Sequence, residues 1–109
     1  DGGGCLPEFD ADGVLTRMDV GDPATLSRAL TTLLAGGADL DRTVAAFTRN
    51  PATLLRLHRK GRIEPGCDAD LVVLNERFEV DSVLLGGVWQ KRNGRQLVTG
   101  PFETAAAAE

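Results

Sequence analysis

Aromatic residues and histidine are scarce in this 109-residue sequence, which has four Phe, one Trp, no Tyr and one histidine, His58. A core would therefore have to be aliphatic. The two cysteines, Cys5 and Cys67, lie far apart and outside any C-x-x-C or Cys/His cluster. We predict two free thiols in a reducing cytoplasm, with a disulfide or a zinc site as the alternative. A zinc site needs about three or four closely spaced ligands, which this chain does not supply alone.

The sequence also lacks a basic stripe, an aromatic-interleaved basic patch and a long apolar run. Twelve Lys and Arg stand against sixteen Asp and Glu, which gives a net charge of −4. We therefore expect no nucleic-acid partner and no membrane association. Hydrophobic residues make up 42% of the chain, which is ordinary for a globular protein and excludes disorder by composition.

The first 21 residues are rich in glycine and are predicted to be irregular. A turn is expected at residues 10–13, with at most a short strand at residues 14–18. An irregular stretch of this length is unusual inside a compact domain and is more typical of an active-site loop.

Helical patterns follow between residues 22 and 59. Asp22-Pro23 predicts an N-cap with proline in the first turn, and Gly36-Gly37 predicts the end of that helix. Asp39 or Asp41 predicts the start of a second helix, and Asn50-Pro51 the start of a short third one. The apolar side chains of the first helix recur on one face: Leu26, Ala29, Leu30, Leu33 and Leu34.

Strand patterns replace the helices after Gly61. Gly86-Gly87 separates two of the predicted strands, and Asn93-Gly94 is a strong signal for a type I′ hairpin turn. The predicted strands cover residues 70–74, 80–85, 88–91 and 96–98.

This arrangement makes a poor stand-alone domain. Each helix presents one apolar stripe, no strand alternates with the helices, and the sheet has too few strands to close on itself. We therefore expect the chain to be the C-terminal portion of a larger enzyme. We expect it to be inactive and poorly soluble by itself.

One stretch is specific enough to indicate a family. Residues 60–74, KGRIEPGCDADLVVL, resemble the K-G-x-I-x-x-G-x-D-A-D-L-V-V-L signature near the C-terminus of amidohydrolase-superfamily enzymes. The Asn50-Pro51-Ala52 step before it also fits. The resemblance implies an α/β fold: the C-terminal part of a metal-dependent (β/α)8 barrel plus part of a small β-sandwich. Residues 1–59 would then end the catalytic barrel, residues 60–104 would form sandwich strands, and residues 105–109 would be a frayed tail.

Three further features resemble the isoaspartyl (β-aspartyl) dipeptidase family. The start, D-G-x-G-x-x-P-x-F-D at residues 1–10, is similar to the loop that leaves the eighth barrel strand in that family. The hairpin at residues 87–98 fits, and Gly100-Pro101-Phe102-Glu103-Thr104 is similar to the family's terminal G-x-F-E-T. The resemblance implies a cytoplasmic, homo-oligomeric hydrolase of β-aspartyl dipeptides with two zinc ions.

The resemblance assigns roles to two residues. Asp1 matches the aspartate that ligates a metal and shuttles the proton, and the remaining ligands would lie upstream on the rest of the barrel. Cys5 stands where the family usually has a serine that contacts the substrate carboxylate. Because a thiol is a weaker hydrogen-bond donor than a hydroxyl, this departure leaves the substrate preference open.

Other interpretations compete with these. Asp68 and Asp70 could ligate calcium, but Val72 and Val73 replace the later ligand and the glycine of a calcium loop, so we predict that they flank a turn and a strand start. His58 lies in a basic cluster that we place at a helix C-terminus. The alternative functions are a dihydroorotase- or hydantoinase-like cyclic amidase and a non-catalytic structural module.

Overall fold

The computed structural model describes residues 3–101, which form three helices and six strands. The helices are α1 (Ala24–Ala35), α2 (Leu40–Phe47) and α3 (Arg49–Leu54). The strands are β1 (Cys5–Phe9), β2 (Leu15–Val20), β3 (Leu71–Leu74), β4 (Val80–Leu85), β5 (Val88–Arg92) and β6 (Arg95–Gln96).

The prediction of an irregular segment was wrong for residues 5–20, whereas the turn expected at residues 10–13 is confirmed. Strands β1 and β2 form an antiparallel hairpin. The connecting turn is organised by Asp10, whose carboxylate accepts hydrogen bonds from the backbone N–H groups of Asp12 and Val14 at 3.0 and 2.9 Å. Gly13 adopts a φ of 78°, a conformation that glycine reaches without steric cost. The Asp and Gly residues of this segment thus close a hairpin rather than an open loop.

Helix α1 begins and ends close to where the sequence predicts. Asp22 accepts a hydrogen bond from the Ala24 N–H at 2.9 Å, although the helix itself starts one residue later than expected. At the other end, Gly37 has a φ of 84°, and the Ala38 N–H reaches the Leu33 carbonyl at 3.0 Å. This is the Schellman arrangement that a C-terminal glycine favours.

Helices α2 and α3 follow each other without a loop. Asp39 caps α2 by accepting from the Arg42 N–H at 2.8 Å, as predicted. The predicted cap at Asn50 was wrong, because Asn50 lies inside α3 and Thr48 precedes that helix. The Ala52 N–H bonds to the Thr48 carbonyl at 3.1 Å, so the helix begins two residues earlier than the Asn-Pro pair suggests.

The sheet that follows has the order β3-β4-β5-β6, and its strand pairs are all antiparallel. The predicted type I′ turn at Asn93-Gly94 is confirmed by φ values of 50° and 76°. Gly86 and Gly87 likewise have positive φ, 56° and 81°. The predicted strands are confirmed with shifts of one or two residues at their ends, because the two-residue turns fix the register.

Helix α1 is joined to the sheet by a direct polar contact. The Thr31 hydroxyl donates to the carbonyl of Phe78, in the turn between β3 and β4, at 2.7 Å. The buried apolar core within the described residues is small, consisting of Leu34, Ala45 and Ala52. Helices therefore meet the sheet through a few contacts rather than through a filled interior.

The α/β character is confirmed, whereas the barrel and the division at residue 59 remain predictions. The strands within residues 3–101 pair antiparallel, and the family's barrel strands would lie upstream. The predicted tail at residues 105–109 lies outside the described residues. In the part of the chain that the structure describes, every helix is too short or too polar to cross a bilayer.

Candidate functional site

The base of the β1–β2 hairpin holds Cys5 in a defined position. The Gly3 N–H bonds to the Gly21 carbonyl at 2.7 Å, and the Gly21 N–H bonds to the Gly4 carbonyl at 2.7 Å. Cys5 pairs across the hairpin with Val20. Its thiol is free and exposed, so it is available to a ligand at this end of the hairpin.

Asp1 lies outside the described residues, and its role as proton shuttle and metal ligand remains a prediction. The role of Cys5 also remains a prediction.

Asp22 lies where the chain leaves the base of the hairpin and enters α1. Its carboxylate accepts from the Ala24 N–H and forms an ion pair with Arg28 at 3.1 Å. The Ala24 hydrogen bond, followed by the contact with Arg28, lowers the pKa of Asp22 below its ordinary value. The hairpin thus leads into an anchored helix start, which limits how far its base can move.

Asp68 and Asp70 form an acidic pair that contacts two basic side chains. Lys60 is hydrogen-bonded to Asp70 and lies 3.0 Å from Asp68, while Arg59 contacts Asp68 at 2.7 Å. Asp70 also accepts from the Gly86 N–H at 2.8 Å. We call Arg59, Lys60, Asp68 and Asp70 the Lys60 cluster. The prediction that the two aspartates flank a turn and a strand start is confirmed, since β3 begins at Leu71.

The charges of this cluster reinforce one another. The hydrogen bond from Lys60 is the main reason that the pKa of Asp68 and the pKa of Asp70 both lie below their ordinary values, and the Gly86 N–H adds to the effect at Asp70. In return, Asp70 and then Asp68 raise the pKa of Lys60. The lowered pKa of the two aspartates and the raised pKa of Lys60 keep these three groups charged near neutrality, so they hold the loop rather than exchange protons.

The placement of Arg59 and Lys60 corrects the sequence interpretation. They do not belong to a helix C-terminus with His58, because α3 ends at Leu54 and Arg56 turns the chain with a φ of 56°. The K-x₇-D-x-D spacing of the signature is the sequence feature that could have indicated their pairing with Asp68 and Asp70. A helix or strand periodicity could not have indicated it, because a loop joins the partners.

A metal site is not assembled within residues 3–101, where no three His, Cys, Asp or Glu side chains are grouped as metal ligands. The acidic pair at Asp68 and Asp70 is engaged by Lys60 instead. The described residues therefore do not fit a zinc centre by themselves, and the assignment of Asp1 as a metal ligand remains a prediction.

Comparison with known proteins gives one family match. The model of the amidohydrolase family matches residues 11–90. The adenine deaminase of Methanothrix thermoacetophila is 28% identical over 104 residues, which is 91% of this chain and 18% of that protein. Human N-acetylglucosamine-6-phosphate deacetylase is 37% identical over 67 residues, which is 59% of this chain and 16% of that protein.

A solved structure matches over nearly the whole chain. It is the β-aspartyl dipeptidase of Fervidobacterium islandicum, in complex with β-Asp-Leu, with a TM-score of 0.77 and 32% identity. The match covers 92% of this chain and 26% of that one. This chain therefore spans less than a fifth of these two curated relatives and about a quarter of the dipeptidase.

Proposed function

This chain belongs to the amidohydrolase family, and we propose that it is the C-terminal part of a zinc-dependent dipeptidase that hydrolyses β-aspartyl dipeptides. The observation that carries the proposal is the likeness to the dipeptidase that holds β-Asp-Leu, at a TM-score of 0.77 over 92% of this chain. The uncovered remainder is shorter than the β1–β2 hairpin, so the match includes at least part of that hairpin. We further propose that the enzyme is cytoplasmic and homo-oligomeric.

The proposed chemistry divides between this chain and the rest of the enzyme. Two zinc ions, when bound, would polarise the scissile carbonyl and make the attacking water more acidic. Asp1 accepts the proton of that water and returns it to the departing amine nitrogen, which is the work of a positioned carboxylate. Cys5 donates its S–H toward the α-carboxylate of the dipeptide, more weakly than a serine would.

A different amidohydrolase activity is the second candidate. The match to the adenine deaminase spans 91% of this chain, so a cyclic amide or amidine substrate is the alternative, as in a dihydroorotase- or hydantoinase-like enzyme. The deacetylase matches a shorter part of the chain, 59%. The dipeptidase match combines high coverage with higher identity than the deaminase, 32% against 28%, and this favours the first candidate.

Substrate profiling of the full-length enzyme that carries this chain tests the proposal. The panel is β-Asp-Leu, its isomer α-Asp-Leu, a hydantoin, adenine and N-acetylglucosamine 6-phosphate. We expect kcat/KM on β-Asp-Leu to exceed the others by roughly 10²-fold or more, because a site built around one polar arrangement leaves groups unpaired with the wrong substrate. Preference for the hydantoin or adenine would favour the second candidate, and activity on none would favour a non-catalytic module.

The variant Asp1→Asn tests the assigned proton transfer in the same enzyme. Asn keeps the size and one oxygen, and the upstream ligands remain, so most of the zinc should be retained by atomic absorption. The rate on β-Asp-Leu should fall by about 10²–10⁴, as for loss of a positioned general base. A kcat near the wild-type value in zinc-loaded Asp1→Asn would remove Asp1 from the mechanism.

A further inference from the structure

The sequence contains three asparagines, Asn50, Asn75 and Asn93, and they differ in the residue that follows. An asparagine loses its amide nitrogen when the backbone nitrogen of the next residue attacks Cγ, and this attack needs room around that nitrogen. The proline after Asn50 has no backbone N–H to lose, and the side chain of Glu76 crowds the nitrogen that follows Asn75. Gly94, which follows Asn93, has no Cβ to hinder the approach.

The surroundings of the side chains separate the asparagines in the same way. The Oδ1 atom of Asn75 accepts from the N–H groups of Arg77 and Glu79 at 2.9 and 3.0 Å, and its Nδ2 donates to the Glu79 carboxylate at 3.0 Å. Within residues 3–101 the side-chain amide of Asn93 has no such partner, and the residue is exposed. Asn50 lies inside α3. Asn93 is therefore the asparagine whose side chain is free to turn toward the next nitrogen.

The backbone of this turn, in contrast, is fastened to β4. The Gly94 N–H donates to the carbonyl of Asp81 at 2.9 Å, and the Asn93 N–H donates to Ser82 Oγ at 3.0 Å. Ser82 is 4% exposed and also donates to Asp81 Oδ2 at 2.7 Å. The Asp81 carbonyl thus holds the proton that the Gly94 nitrogen must lose. The attacking nitrogen becomes available when this end of the sheet opens locally.

The reaction needs no reactant besides water. The Gly94 nitrogen loses its proton and bonds to Cγ of Asn93, the Cγ–Nδ2 bond breaks, and ammonia leaves with that proton, which closes a succinimide ring. Water then opens the ring. Opening at Cγ gives aspartate, and opening at the main-chain carbonyl gives isoaspartate, in which the chain continues through the β-carboxyl. By either route water is consumed, ammonia is released and a neutral amide becomes a carboxylate.

We propose that Asn93 is a site of spontaneous deamidation and that the hydrogen bonds of its turn to Ser82 and Asp81 set the rate. The product places a carboxylate in an exposed turn between Arg92 and Arg95, which pair across β5 and β6. The isoaspartate form also lengthens the backbone of a turn whose length fixes the strand register. The inference is independent of the proposed function, because it uses none of the residues assigned to substrate or metal.

The test follows the full-length enzyme that carries this chain during incubation at mildly alkaline pH. Peptide mapping by mass spectrometry measures the conversion of amide to acid at each asparagine. Fragmentation that distinguishes isoaspartate from aspartate separates the product at residue 93 from isomerisation at Asp12-Gly13, the other exposed pair of this kind within residues 3–101.

Ser82→Ala removes the hydroxyl that accepts from the Asn93 N–H. Thr31→Val is the matched control, because it also removes a hydroxyl that bonds to the backbone, at the Phe78 carbonyl in the turn before β4, but leaves the turn at Asn93 untouched. Asn93→Gly removes the reacting side chain and keeps a residue pair that such turns accept, so it should abolish the acidic product. Melting temperature is recorded for all the variants.

We expect aspartate and isoaspartate at residue 93 in the wild-type enzyme while Asn50 and Asn75 remain amides. Ser82→Ala should raise the rate at Asn93 by about 2- to 10-fold, the factor that corresponds to the net strength of one hydrogen bond, and Thr31→Val should leave the rate unchanged. An intact Asn93 in both the wild type and Ser82→Ala, or earlier conversion of Asn75, would overturn the site. An unchanged rate in Ser82→Ala, or an equal rise in Thr31→Val, would overturn the control of the rate by β4.

Discussion

Gly61, the second residue of the family signature, packs closer to α3 than any other residue type would permit. Its φ is 79°, in the region that favours glycine. A Cβ placed on it would lie 2.7 Å from the Cβ of Ala52 and 2.7 Å from the carbonyl oxygen of Thr48. The positive φ and the close contacts both require glycine here. The Thr48 carbonyl cannot easily move aside, because it accepts the first hydrogen bond of α3. The chain therefore turns out of the helical segment against the start of α3.

We predict that Gly61→Ala destabilises the enzyme by about 2–4 kcal/mol, from the left-handed backbone and the overpacking together. Gly66→Ala is the matched control, because Gly66 has a φ of 90° and nothing within 4 Å of an added Cβ. The control should cost only the backbone strain, about 1–2 kcal/mol. Chemical denaturation of the full-length enzyme measures both. Equal losses at the two positions would show that the contact with α3 is unimportant.

For single residues, the sequence predicts local backbone conformation better than it predicts contacts with distant segments. Asn93-Gly94 and Gly86-Gly87 are identifiable as turns because their positive φ values are a local requirement, and the structure confirms them. The contact of Gly61 with Ala52 is not identifiable in this way, since it joins two segments whose approach depends on the whole fold. Cys5 was assigned to the site by resemblance to the family, whereas its pairing with Val20 is visible only in the hairpin register of the structure.

Among the elements, the sheet is tied to the segment after α3 by the Lys60 cluster. Lys60 bridges Asp68 and Asp70, and Asp70 continues to the N–H of Gly86 in the turn between β4 and β5. One lysine thus connects the loop, the start of β3 and a turn of the sheet. The aspartates that resembled a calcium loop serve to fix the entry of the chain into the sheet.

This arrangement predicts a pH-dependent contribution to stability. The pKa of Asp70 is lowered from 3.8, so its charge stabilises the fold above that value, and the stabilisation is lost as the pH falls through the lower folded-state value. The pKa of Lys60 is raised from 10.5, so its contribution is complete below that value and is lost as the pH rises through the higher folded-state value. The cluster therefore contributes most between these two limits.

Asp70→Asn tests this contribution, because it removes the charge and keeps an oxygen for the Gly86 N–H. We expect a lower melting temperature than wild type at neutral pH, with the difference shrinking below pH 3.8. Arg77→Gln is the control, since the Arg77–Glu79 pair is 3.7 Å long and exposed and such pairs contribute little. A difference between Asp70→Asn and wild type that stays constant down to pH 2 would show that charge is not the cause.

Helices and strands were predictable where a local pattern of apolar residues extends over several turns or residues. Helix α1 shows several turns of apolar spacing together with terminal signals at Asp22 and Gly37, and its bounds follow closely. The β1–β2 hairpin was missed although its turn at residues 10–13 was predicted, because residues 5–9 were not predicted as a strand. The turn is held by the Asp10 carboxylate, which accepts hydrogen bonds from two backbone N–H groups.

The molecule as a whole buries little of its surface. Its radius of gyration is 17.0 Å, whereas a compact chain of this length has about 13 Å. Its accessible surface is 8879 Å², against about 5,800 Å² for a globular monomer of this size. Leu26, Leu33 and Ile63 are 69%, 47% and 85% exposed. The apolar stripe of α1 that the sequence identified is thus largely uncovered, as expected for a chain that folds against further polypeptide.

We therefore predict that isolated residues 1–109 associate, melt without a cooperative transition and have no dipeptidase activity. The reason is energetic: Leu26, Leu33 and Ile63 expose apolar side chains to water, and association removes such surface from water. Light scattering after size-exclusion chromatography measures the association, calorimetry measures the cooperativity, and ANS fluorescence reports the exposed apolar surface. Leu26→Lys in α1, where the side chain is 69% exposed, should reduce association of the isolated chain, because it places a charge in the stripe. In the full-length enzyme the same substitution should lower stability, because we expect the stripe to be buried there against further polypeptide. A monomeric, cooperatively unfolding and active chain of residues 1–109 would show that this segment needs no partner to fold or to act.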